Sequence, residues 1–310
     1  MKDFPSVNAI IPICNWADRL NYCLKHLSSQ KYEGSFTITV VDCGSQDNTR
    51  EVANEFGCEV IVRKNAPIEG LIGLTNYGIK HSKADLVWKV DADNIMADET
   101  VLGKLVKPFT EDNEVNLSVP GQITNEKYNS FTNYLTLREM VPYDTMLFES
   151  SPREGWNLVE DMWYGIYNAT LIRRNVIDRV GGWDQDIRVL GRMRSLNLSR
   201  TALVKEAKYY HDQRVDPVMY MKKISRRLRY FGSMDPQTAS EYFVKSFDME
   251  YTQEGTFENL RKEFTKSIRT GGQRSISNFT NEFLYQAVTL LSLISSPISA
   301  YRVLRRGMYR

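Results

Sequence analysis

Two aspartates separated by one residue, Asp91 and Asp93, follow the apolar run 86–90. In an extended segment residues i and i+2 point to the same side, so both carboxylates could face one hard divalent cation. Open α/β sheets bind ligands at the carboxyl ends of their strands, where a bound metal suits a diphosphate. The same D-x-D pattern also occurs in solvated turns, in which Asp supports local backbone hydrogen bonds. Asp91 and Asp93 are therefore candidate metal ligands, and the neighbouring segments decide between the two interpretations.

Other segments of the first hundred residues also place polar or glycine residues directly after an apolar run. Residues 7–12 form a strand-like run that leads to Asn15. Residues 38–41 form a second run that ends in Asp42 and a glycine turn. Residues 73–79 precede the D-x-D strand. Four motifs in a fixed order are far more specific than any one of them.

Together these segments resemble the donor half of the family 2 glycosyltransferases of the GT-A fold, roughly over the first hundred residues. The resemblance implies a nucleoside diphosphate sugar as donor substrate and Mn²⁺ or Mg²⁺ as cofactor. It also implies that Asp42 accepts hydrogen bonds from the base or ribose, whereas spacing alone equally suits a turn-forming Asp. The donor-binding residues implied in this way are Pro12, Asn15, Asp42, Asn76, Gly78 and Asp91.

His211 stands where related enzymes often have a histidine that completes the metal shell. Imidazole is a suitable ligand for manganese, so the resemblance implies a metal site of Asp91, Asp93 and His211. The alternative is a packed or hydrogen-bonded histidine without a metal.

The general base is the point at which the chain departs from the family pattern. Residues 180–184 (Val-Gly-Gly-Trp-Asp) stand where the family has Gly-Gly-Phe-Asp, and the family then carries a Glu-Asp pair whose Asp is the base. The corresponding segment 191–196 has Arg192 and Met193 instead. Inverting transfer still needs a base near the attacking oxygen. The candidate carboxylates are Asp186, Asp161, Glu160 and Asp184, each of which could instead cap a turn or begin a helix.

Strands and helices alternate along the first hundred residues. Apolar residues of the segment 17–30 recur at the i, i+3, i+4, i+7 spacing of a buried helix face. Strands separated by helices predict an α/β fold with a doubly wound, mostly parallel sheet and right-handed crossovers. Residues 121–165 are aromatic, polar and weakly periodic, which indicates an acceptor-side region with loops. The predicted strands are 7–12, 36–41, 58–63, 86–90 and 116–120, and the predicted helices are 17–30, 47–56, 69–82 and 98–108.

The composition fits one large α/β domain and an appendage. The chain has 310 residues, of which 42% are hydrophobic and 25% charged, as in a folded globular protein. We predict a GT-A domain over 1–215, with a donor half (1–100) and an acceptor half (101–215). We predict a helical extension over 216–310, basic and apolar in composition.

Charge and cysteine usage exclude some partners and indicate a compartment. The formal net charge of +2 is too small for a nucleic-acid-binding protein on charge alone. The four cysteines lack C-x-x-C spacing, so we predict neither a zinc site nor a disulfide framework and expect a reducing, cytosolic setting. The N-terminus enters a strand without the pattern of a secretion signal. These cysteines are Cys14, Cys23, Cys43 and Cys58.

The C-terminal segment 283–301 is uncharged and rich in Leu, Ile and Val. It is borderline for a membrane-spanning helix, and its serines and Pro297 weaken that interpretation. An interfacial or re-entrant segment at the cytosolic membrane face fits better, and a buried amphipathic helix is the alternative. Anionic headgroups could attract two basic groups: Lys222, Lys223, Arg226, Arg227 and Arg229, and Arg302, Arg305, Arg306 and Arg310.

The sequence therefore predicts an inverting, metal-dependent transfer of a single sugar to a hydroxyl of a lipid-linked or glycan acceptor. The Q-x-x-R-W motif of processive polysaccharide synthases does not occur in the sequence. The alternative is a non-catalytic nucleotide-sugar-binding or membrane-scaffold protein, because Arg192 and Met193 replace the usual acid pair.

Overall fold

This computed structural model describes residues 4–63, 70–160, 162, 168–183, 186–220 and 222, and these contain ten strands and seven helices. The strands are β1 (Val7–Ile13), β2 (Phe36–Asp42), β3 (Glu59–Val62), β4 (Leu86–Lys89), β5 (Asn94–Met96), β6 (Leu117–Ile123), β7 (Ser151–Arg153), β8 (Trp156–Val159), β9 (Leu171–Arg173) and β10 (Thr201–His211). The helices are α1 (Ala17–Leu27), α2 (Thr49–Glu55), α3 (Gly70–His81), α4 (Val101–Glu111), α5 (Ser130–Glu149), α6 (Arg174–Arg179) and α7 (Asp186–Ser195).

The strands form one mixed sheet with the order β3-β2-β1-β4-β9-β6-β10-β8-β7, and β5 pairs with β10 off this path. β1 is parallel to β2 and β4, β2 to β3, and β6 to β10. Because β9 is antiparallel to both β4 and β6, all six of these strands run in the same direction. Their carboxyl ends therefore share one edge of the sheet, and the predicted mostly parallel α/β sheet is confirmed.

Apolar side chains cover both faces of the sheet. Successive residues of a strand point to opposite faces, and in β1 the residues Ala9 and Ile11 join one hydrophobic cluster while Ile10 joins the other. Leu24 of α1 belongs to the first cluster and Leu74 of α3 to the second. Helices thus pack on both sides, as in a doubly wound sheet.

The region 121–165 contains more regular structure than its sequence indicates. Residues 130–149 form the long helix α5, and β7 and β8 form an antiparallel hairpin that extends the sheet next to β10. Apolar and polar residues of α5 do not separate into two faces along its length, so hydrophobic periodicity could not reveal this helix. The prediction of loops over 130–149 is wrong for that reason.

Strand β10 contains an irregularity that divides it into two pairing segments. Its register with β6 shifts between Val204 and Lys208, and two successive residues there, Lys205 and Glu206, are both exposed. Gly121 of β6 lies opposite, where a Cβ atom would be 2.9 Å from the Lys205 carbonyl oxygen. The second segment of β10 also pairs with β5. A β-bulge of this kind bends a strand and changes where its end points.

The chain divides into two compact units. One contains 1–125 and 136–212, and the described residues of the other are 126–135, 213–220 and 222. In the second unit, Phe131 and Leu135 pack with Val215. The Thr132 hydroxyl donates a hydrogen bond of 2.9 Å to the Val215 carbonyl. The extension predicted for 216–310 otherwise lies outside the described residues, as does its apolar segment 283–301.

A disulfide between Cys14 and Cys43 joins the segments that directly follow β1 and β2. The two Cα atoms are 5.3 Å apart, a normal separation for a disulfide. The expectation of no disulfide is therefore wrong, because the parallel pairing of β1 and β2 brings together two cysteines with no recognisable spacing. Cys23 and Cys58 are free and buried, and burial raises the pKa of Cys58 to about 11.

Gly78 allows α3 to pack closely against β1 and β2. A Cβ atom at this position would lie 2.7 Å from a methyl carbon of Ile10 and 2.7 Å from a methyl carbon of Val41. Both neighbours are fully buried and belong to the second hydrophobic cluster. Gly78 therefore serves helix–sheet packing, and its role at the donor stays a prediction.

We expect Gly78→Ala to lower the free energy of unfolding by about 1–3 kcal/mol, because the added methyl group overpacks the interface. Chemical denaturation with a linear extrapolation measures this change. Gly103→Ala is the matched control, since Gly103 also lies in a helix but its Cβ would meet only the Lys31 carbonyl oxygen at 3.8 Å. Equal stability of the two variants would contradict the packing role of Gly78.

We expect thiol-specific alkylation in denaturant to modify two of the four cysteines without reductant and all four after reduction. Closing a 29-residue separation stabilises a protein by about 3–4 kcal/mol on the chain-entropy account, so reduction should lower the melting temperature. The double variant Cys14→Ser/Cys43→Ser is the control and should not respond to reductant. Four modified cysteines in the unreduced protein would exclude the disulfide.

Candidate functional site

Polar side chains collect at the edge of the sheet where β1, β2, β4 and β10 end. Asn15 and Asp42 come from the ends of β1 and β2, and Asp91 and Asp93 follow β4. His211 ends β10, and its pairing with Asn94 of β5 brings it next to the D-x-D residues. The structure therefore brings together residues that are distant in sequence, at the edge where open α/β sheets bind ligands.

The D-x-D segment is a turn and not the extended run predicted from the sequence. Strand β4 ends at Lys89, and the Asn94 N–H donates a hydrogen bond of 2.9 Å to the Asp91 carbonyl. The buried Asn94 side chain accepts a 2.9 Å hydrogen bond from the Asp91 N–H. These two bonds close the turn locally, so the alternation of an extended strand does not orient the two carboxylates. Asn94 is a positioning residue of the turn.

Asp93 and His211 face each other. The His211 Nε2 atom lies 3.5 Å from the Asp93 Oδ2 atom, and both side chains are largely buried. The backbone supports this pair, because the Asp212 N–H donates a 2.7 Å hydrogen bond to the Asp93 carbonyl. Asp212 is fully buried and forms an ion pair of 3.2 Å with Arg19 of α1. Helix α1, the D-x-D turn and the end of β10 are thus held as one assembly.

Asp91 is paired with a lysine that the sequence analysis did not single out. The Lys89 Nζ atom lies 2.6 Å from Asp91 Oδ2 and 3.0 Å from Asn168 Oδ1. The Asn168 amide nitrogen lies 3.4 Å from His211 Nε2, so the contacts continue to the Asp93–His211 pair. The i, i+2 spacing of Lys89 and Asp91 is a signal that could have indicated their pairing.

Asp93 and His211 can contribute two ligands to a divalent cation. No group of three or more His, Cys, Asp or Glu side chains in the described part of the chain is arranged to hold a metal, so the predicted three-ligand set is not assembled. Asp91 is instead occupied by Lys89. A carboxylate and an imidazole nonetheless fit Mn²⁺ or Mg²⁺ when substrate phosphates supply further oxygens.

Cys23 lies beneath the D-x-D turn as a protonated thiol. Its Sγ atom lies 3.3 Å from the Asn94 carbonyl and 3.8 Å from the Asp91 carbonyl. Burial, followed by the charges of Asp93 and Asp91, raises the pKa of Cys23 far above its ordinary value. A group this difficult to ionise is a poor metal ligand, because metals bind the thiolate.

Asp42 is fully buried and organises the loop after β2. Both carboxylate oxygens accept hydrogen bonds of 3.0 Å from the Ser45 N–H, and the Ser45 hydroxyl donates to Oδ1. The Arg50 Nε atom lies 3.7 Å from Oδ2. These contacts correspond to the turn-forming interpretation of Asp42. Direct contact with the base or ribose stays a prediction.

The loop after β1 is tied to the loop after β2. Asn15 adopts a left-handed backbone conformation with φ of 53°, which Asn tolerates better than most residues. Its N–H donates to the Ser45 hydroxyl (2.8 Å), and its side-chain oxygen accepts from the Gln46 N–H (2.8 Å). Pro12 is a buried residue of β1 opposite Val41 of β2. Pro12 and Asn15 thus shape this edge.

Asp47 connects the same two loops to the starts of α1 and α2. Its Oδ2 atom accepts a 3.1 Å hydrogen bond from the Ala17 N–H, and its Oδ1 atom accepts a 3.2 Å bond from the Thr49 N–H. The hydrogen bond from the Thr49 hydroxyl, with those from both N–H groups, holds the pKa of Asp47 below its ordinary value. This loop pair is therefore ordered without a ligand.

Asn76 binds the glycine-rich loop and not the donor edge directly. Its side-chain nitrogen donates to the Trp183 carbonyl and its oxygen accepts from the Trp183 N–H, both at 2.6 Å. Gly182 has φ of 97°, and a Cβ there would lie 2.9 Å from the Asn76 oxygen. Asn76 thus requires glycine at position 182 and supports this loop, and its role at the donor stays a prediction.

The candidate bases have different placements. Glu160 follows β8, which meets the start of β10, so it lies roughly 25–30 Å along that strand from His211. It forms an ion pair of 3.5 Å with Arg200. Glu160 therefore cannot act at the D-x-D edge. Asp161 and Asp184 lie outside the described residues, and Asp186 begins α7 with its side chain outside them.

Arg192 and Met193 have structural roles in α7. Met193 is fully buried in the second hydrophobic cluster. Arg192 donates a 3.2 Å hydrogen bond to the Gly182 carbonyl and so holds the same loop as Asn76. The two residues that replace the family's acid pair are therefore used for packing and loop support.

A polar cavity of about 930 Å³ lies at the opposite, amino-terminal edge of the sheet. Its lining includes Glu114, Glu160, Arg194 and Arg200. Arg200 forms ion pairs with Asp112, Glu114 and Glu160, which satisfies its charge internally. The cavity contains none of the D-x-D residues.

No helix within the described ranges is long and apolar enough to cross a membrane.

Comparisons with known proteins agree with this geometry. The sequence matches glycosyl transferase family 2 over residues 8–181. The glycosyltransferase AglE of Haloferax volcanii is 31% identical over 143 residues, which are 42% of this chain and 46% of AglE. An N-acetylglucosaminyltransferase of Mesorhizobium japonicum is 36% identical over 108 residues, 32% of this chain and 25% of that protein. The chain thus spans less than half the length of these two relatives.

Solved structures show the same fold at low sequence identity. A mannosyltransferase from Pyrobaculum calidifontis, in complex with GDP-Man and Mn²⁺, has a TM-score of 0.53 and 16% identity, covering 100% of this chain and 78% of that one. TarS of S. aureus in complex with UDP has a TM-score of 0.53 and 13% identity, and the match covers 97% of this chain and 89% of the TarS chain. The sheet order, these likenesses and a family match over more than half of the chain lead to one conclusion. The chain has the GT-A fold and belongs to glycosyl transferase family 2.

Proposed function

We propose that this protein is an enzyme that transfers one sugar from a nucleoside diphosphate sugar to a hydroxyl group, with inversion at the anomeric carbon. The observation that carries the proposal is the Asp93–His211 pair beside Asp91 at the carboxyl edge of a family 2 sheet. The donor class is supported by the mannosyltransferase solved with GDP-Man and by TarS solved with UDP.

In this proposal Asp93 and His211 would hold Mn²⁺ or Mg²⁺, with oxygens of the donor diphosphate as further ligands. Such a cation would offset the negative charge that develops on the departing diphosphate. The chain's own contribution is to hold Asp93 and His211 in position for the cation. Asp212, Arg19 and Asn94 hold their backbone through hydrogen bonds and an ion pair that exist without the metal.

The reaction requires one bond to form and one to break. The acceptor oxygen bonds to the anomeric carbon as the bond from that carbon to the diphosphate oxygen breaks, and the hydroxyl proton passes to a carboxylate base. Asp186 is the proposed base, because it begins α7 directly after the loop that Asn76 and Arg192 hold. Asp184 is the remaining alternative, because Asp161 directly follows Glu160, which lies at the opposite edge.

The proposed acceptor is a hydroxyl of a lipid-linked or glycan molecule at a membrane surface. The basic and apolar composition of the C-terminal residues supports this part of the proposal. No nucleic-acid partner is proposed, since the net charge is only +2.

A second candidate function is nucleotide-sugar binding without catalysis. Arg192 and Met193 occupy the positions of the family's acid pair and are committed to loop support and core packing. A protein without a base would keep the donor edge described above and lose only the chemical step. The two candidates differ in whether bound donor is turned over.

We expect Asp93→Asn to weaken Mn²⁺-dependent binding of UDP or GDP at least tenfold, about 1.4 kcal/mol, because a neutral amide cannot offset the charge of the cation. Isothermal titration with and without Mn²⁺ measures this change. Asp178→Asn is the matched control, since Asp178 is an exposed carboxylate paired with Arg174 on α6. Unchanged Mn²⁺-dependent affinity in Asp93→Asn would exclude this metal site.

We expect Asp186→Asn to retain donor binding while the release of nucleoside diphosphate from a donor sugar falls at least 100-fold, because removing a general base lowers the rate by about 10²–10⁴. Titration of UDP or GDP and a coupled assay of diphosphate release give the two readouts. Full turnover in Asp186→Asn would transfer the role to Asp184. Donor binding without turnover by the unsubstituted protein, against water and added acceptors, would favour the non-catalytic function.

A further inference from the structure

Lys89 places a positive charge inside the proposed metal site. Its ammonium group lies 2.6 Å from Asp91 Oδ2, and only 12% of the lysine side chain and 24% of the aspartate side chain are exposed. We propose that Lys89 is a built-in counterion, which occupies Asp91 before loading and turns to the donor diphosphate when nucleotide and metal bind together. This inference rests on the proposed function and deepens it, since it couples metal binding to nucleotide binding at the same site.

The frame around Lys89 fixes the ammonium at this place. The Lys89 backbone N–H donates a 3.1 Å hydrogen bond to the Thr170 carbonyl, and Asn168 Oδ1 accepts from its Nζ atom at 3.0 Å. The buried Trp88 indole donates a 2.7 Å hydrogen bond to the Ala169 carbonyl, and so anchors the segment that carries Asn168. A partly buried charge is maintained where a carboxylate and a further oxygen compensate its desolvation.

Charge balance connects this contact to metal binding. Asp91 and Asp93 carry two negative charges, and Lys89 reduces their sum to one. A divalent cation that arrives alone must compete with the ammonium for Asp91 and is repelled by it at close range. A diphosphate brings additional negative charge, which the ammonium and the cation can share. Metal and nucleotide should therefore bind cooperatively, each increasing the affinity for the other by the same factor.

A purely structural role for Lys89 makes a different prediction. If the Lys89–Asp91 pair only held the turn, its loss would lower the stability of the protein and weaken the binding of both metal and nucleotide. If Lys89 is a counterion, its loss must change the affinity for metal and the affinity for nucleotide in opposite directions. Metal alone should bind more tightly because Asp91 is released, whereas nucleotide alone should bind less tightly because a cation is lost.

The experiment compares the unsubstituted protein with Lys89→Met, Lys89→Arg and the control Lys104→Met. Methionine keeps most of the apolar stem without the charge, and arginine keeps the charge. Lys104→Met removes a more exposed ion pair, which joins Lys104 of α4 to Asp98 just before that helix. Binding of Mn²⁺ alone is measured from the electron paramagnetic resonance signal of the free ion, and UDP and GDP are titrated with and without Mn²⁺.

We expect Lys89→Met to bind Mn²⁺ alone roughly tenfold more tightly and metal-free nucleotide roughly tenfold less tightly, within the usual range of coupling between sites. Lys89→Arg should bind metal-free nucleotide about as tightly as the unsubstituted protein. Lys104→Met should match the unsubstituted protein in its affinities for both Mn²⁺ and nucleotide. Equal or weaker Mn²⁺ binding by a folded Lys89→Met overturns the inference. If that variant does not fold, Lys89→Gln is measured by the same criteria.

The two proposals fail separately. If the unsubstituted protein binds no nucleotide under any condition while Lys89→Met tightens Mn²⁺ binding, the counterion inference holds for the metal and the proposed function fails. If the unsubstituted protein binds nucleotide with Mn²⁺ but Lys89→Met changes neither affinity, the function holds and the counterion inference fails.

Discussion

The pairing of β5 with the end of β10 is the contact on which the candidate site depends. It aligns His211 with Asn94, and the adjacent Asp212 N–H binds the Asp93 carbonyl. Without these backbone hydrogen bonds, the histidine and the aspartate would have no fixed relation, since they belong to distant parts of the chain. The Arg19–Asp212 ion pair then fastens this junction to α1, whose apolar face is buried in the core. The chemistry of the edge is therefore a consequence of sheet pairing.

The features that the sequence predicted correctly depend on short-range patterns. The succession of apolar strand runs and helices with the i, i+3, i+4 spacing predicted the doubly wound sheet, and motif order indicated the family. The patterns that failed involve partners remote in sequence. The contacts of Gly78 with Ile10 and of Asn76 with Trp183 were not predicted, because these neighbours become visible only when α3 is placed on the sheet. Glu160 was a candidate base until β8 placed it at the opposite edge. The cysteine pairing required the register of β1 and β2.

Several polar groups at the donor edge already have partners within the chain. Asp42 binds Ser45, Asn15 binds Gln46, and Asp91 binds Lys89. Such contacts hold loops in one conformation before a ligand arrives, which lowers the entropy that binding must overcome. Asp42, which is fully buried, is one of the residues that hold such a loop.

The bulge in β10 makes the site sensitive to chain length as well as to side-chain identity. Val204 and Ala207 pack into the same hydrophobic cluster although they are three positions apart, so the length of the bulge sets the register of every later residue of the strand. A change in that length would displace His211 relative to Asp93 although no residue of the site had been replaced. Insertions and deletions in this exposed part of the strand are therefore expected to be less tolerated during divergence than substitutions at the same positions. Gly121, which makes room for the bulge, would be retained together with that length.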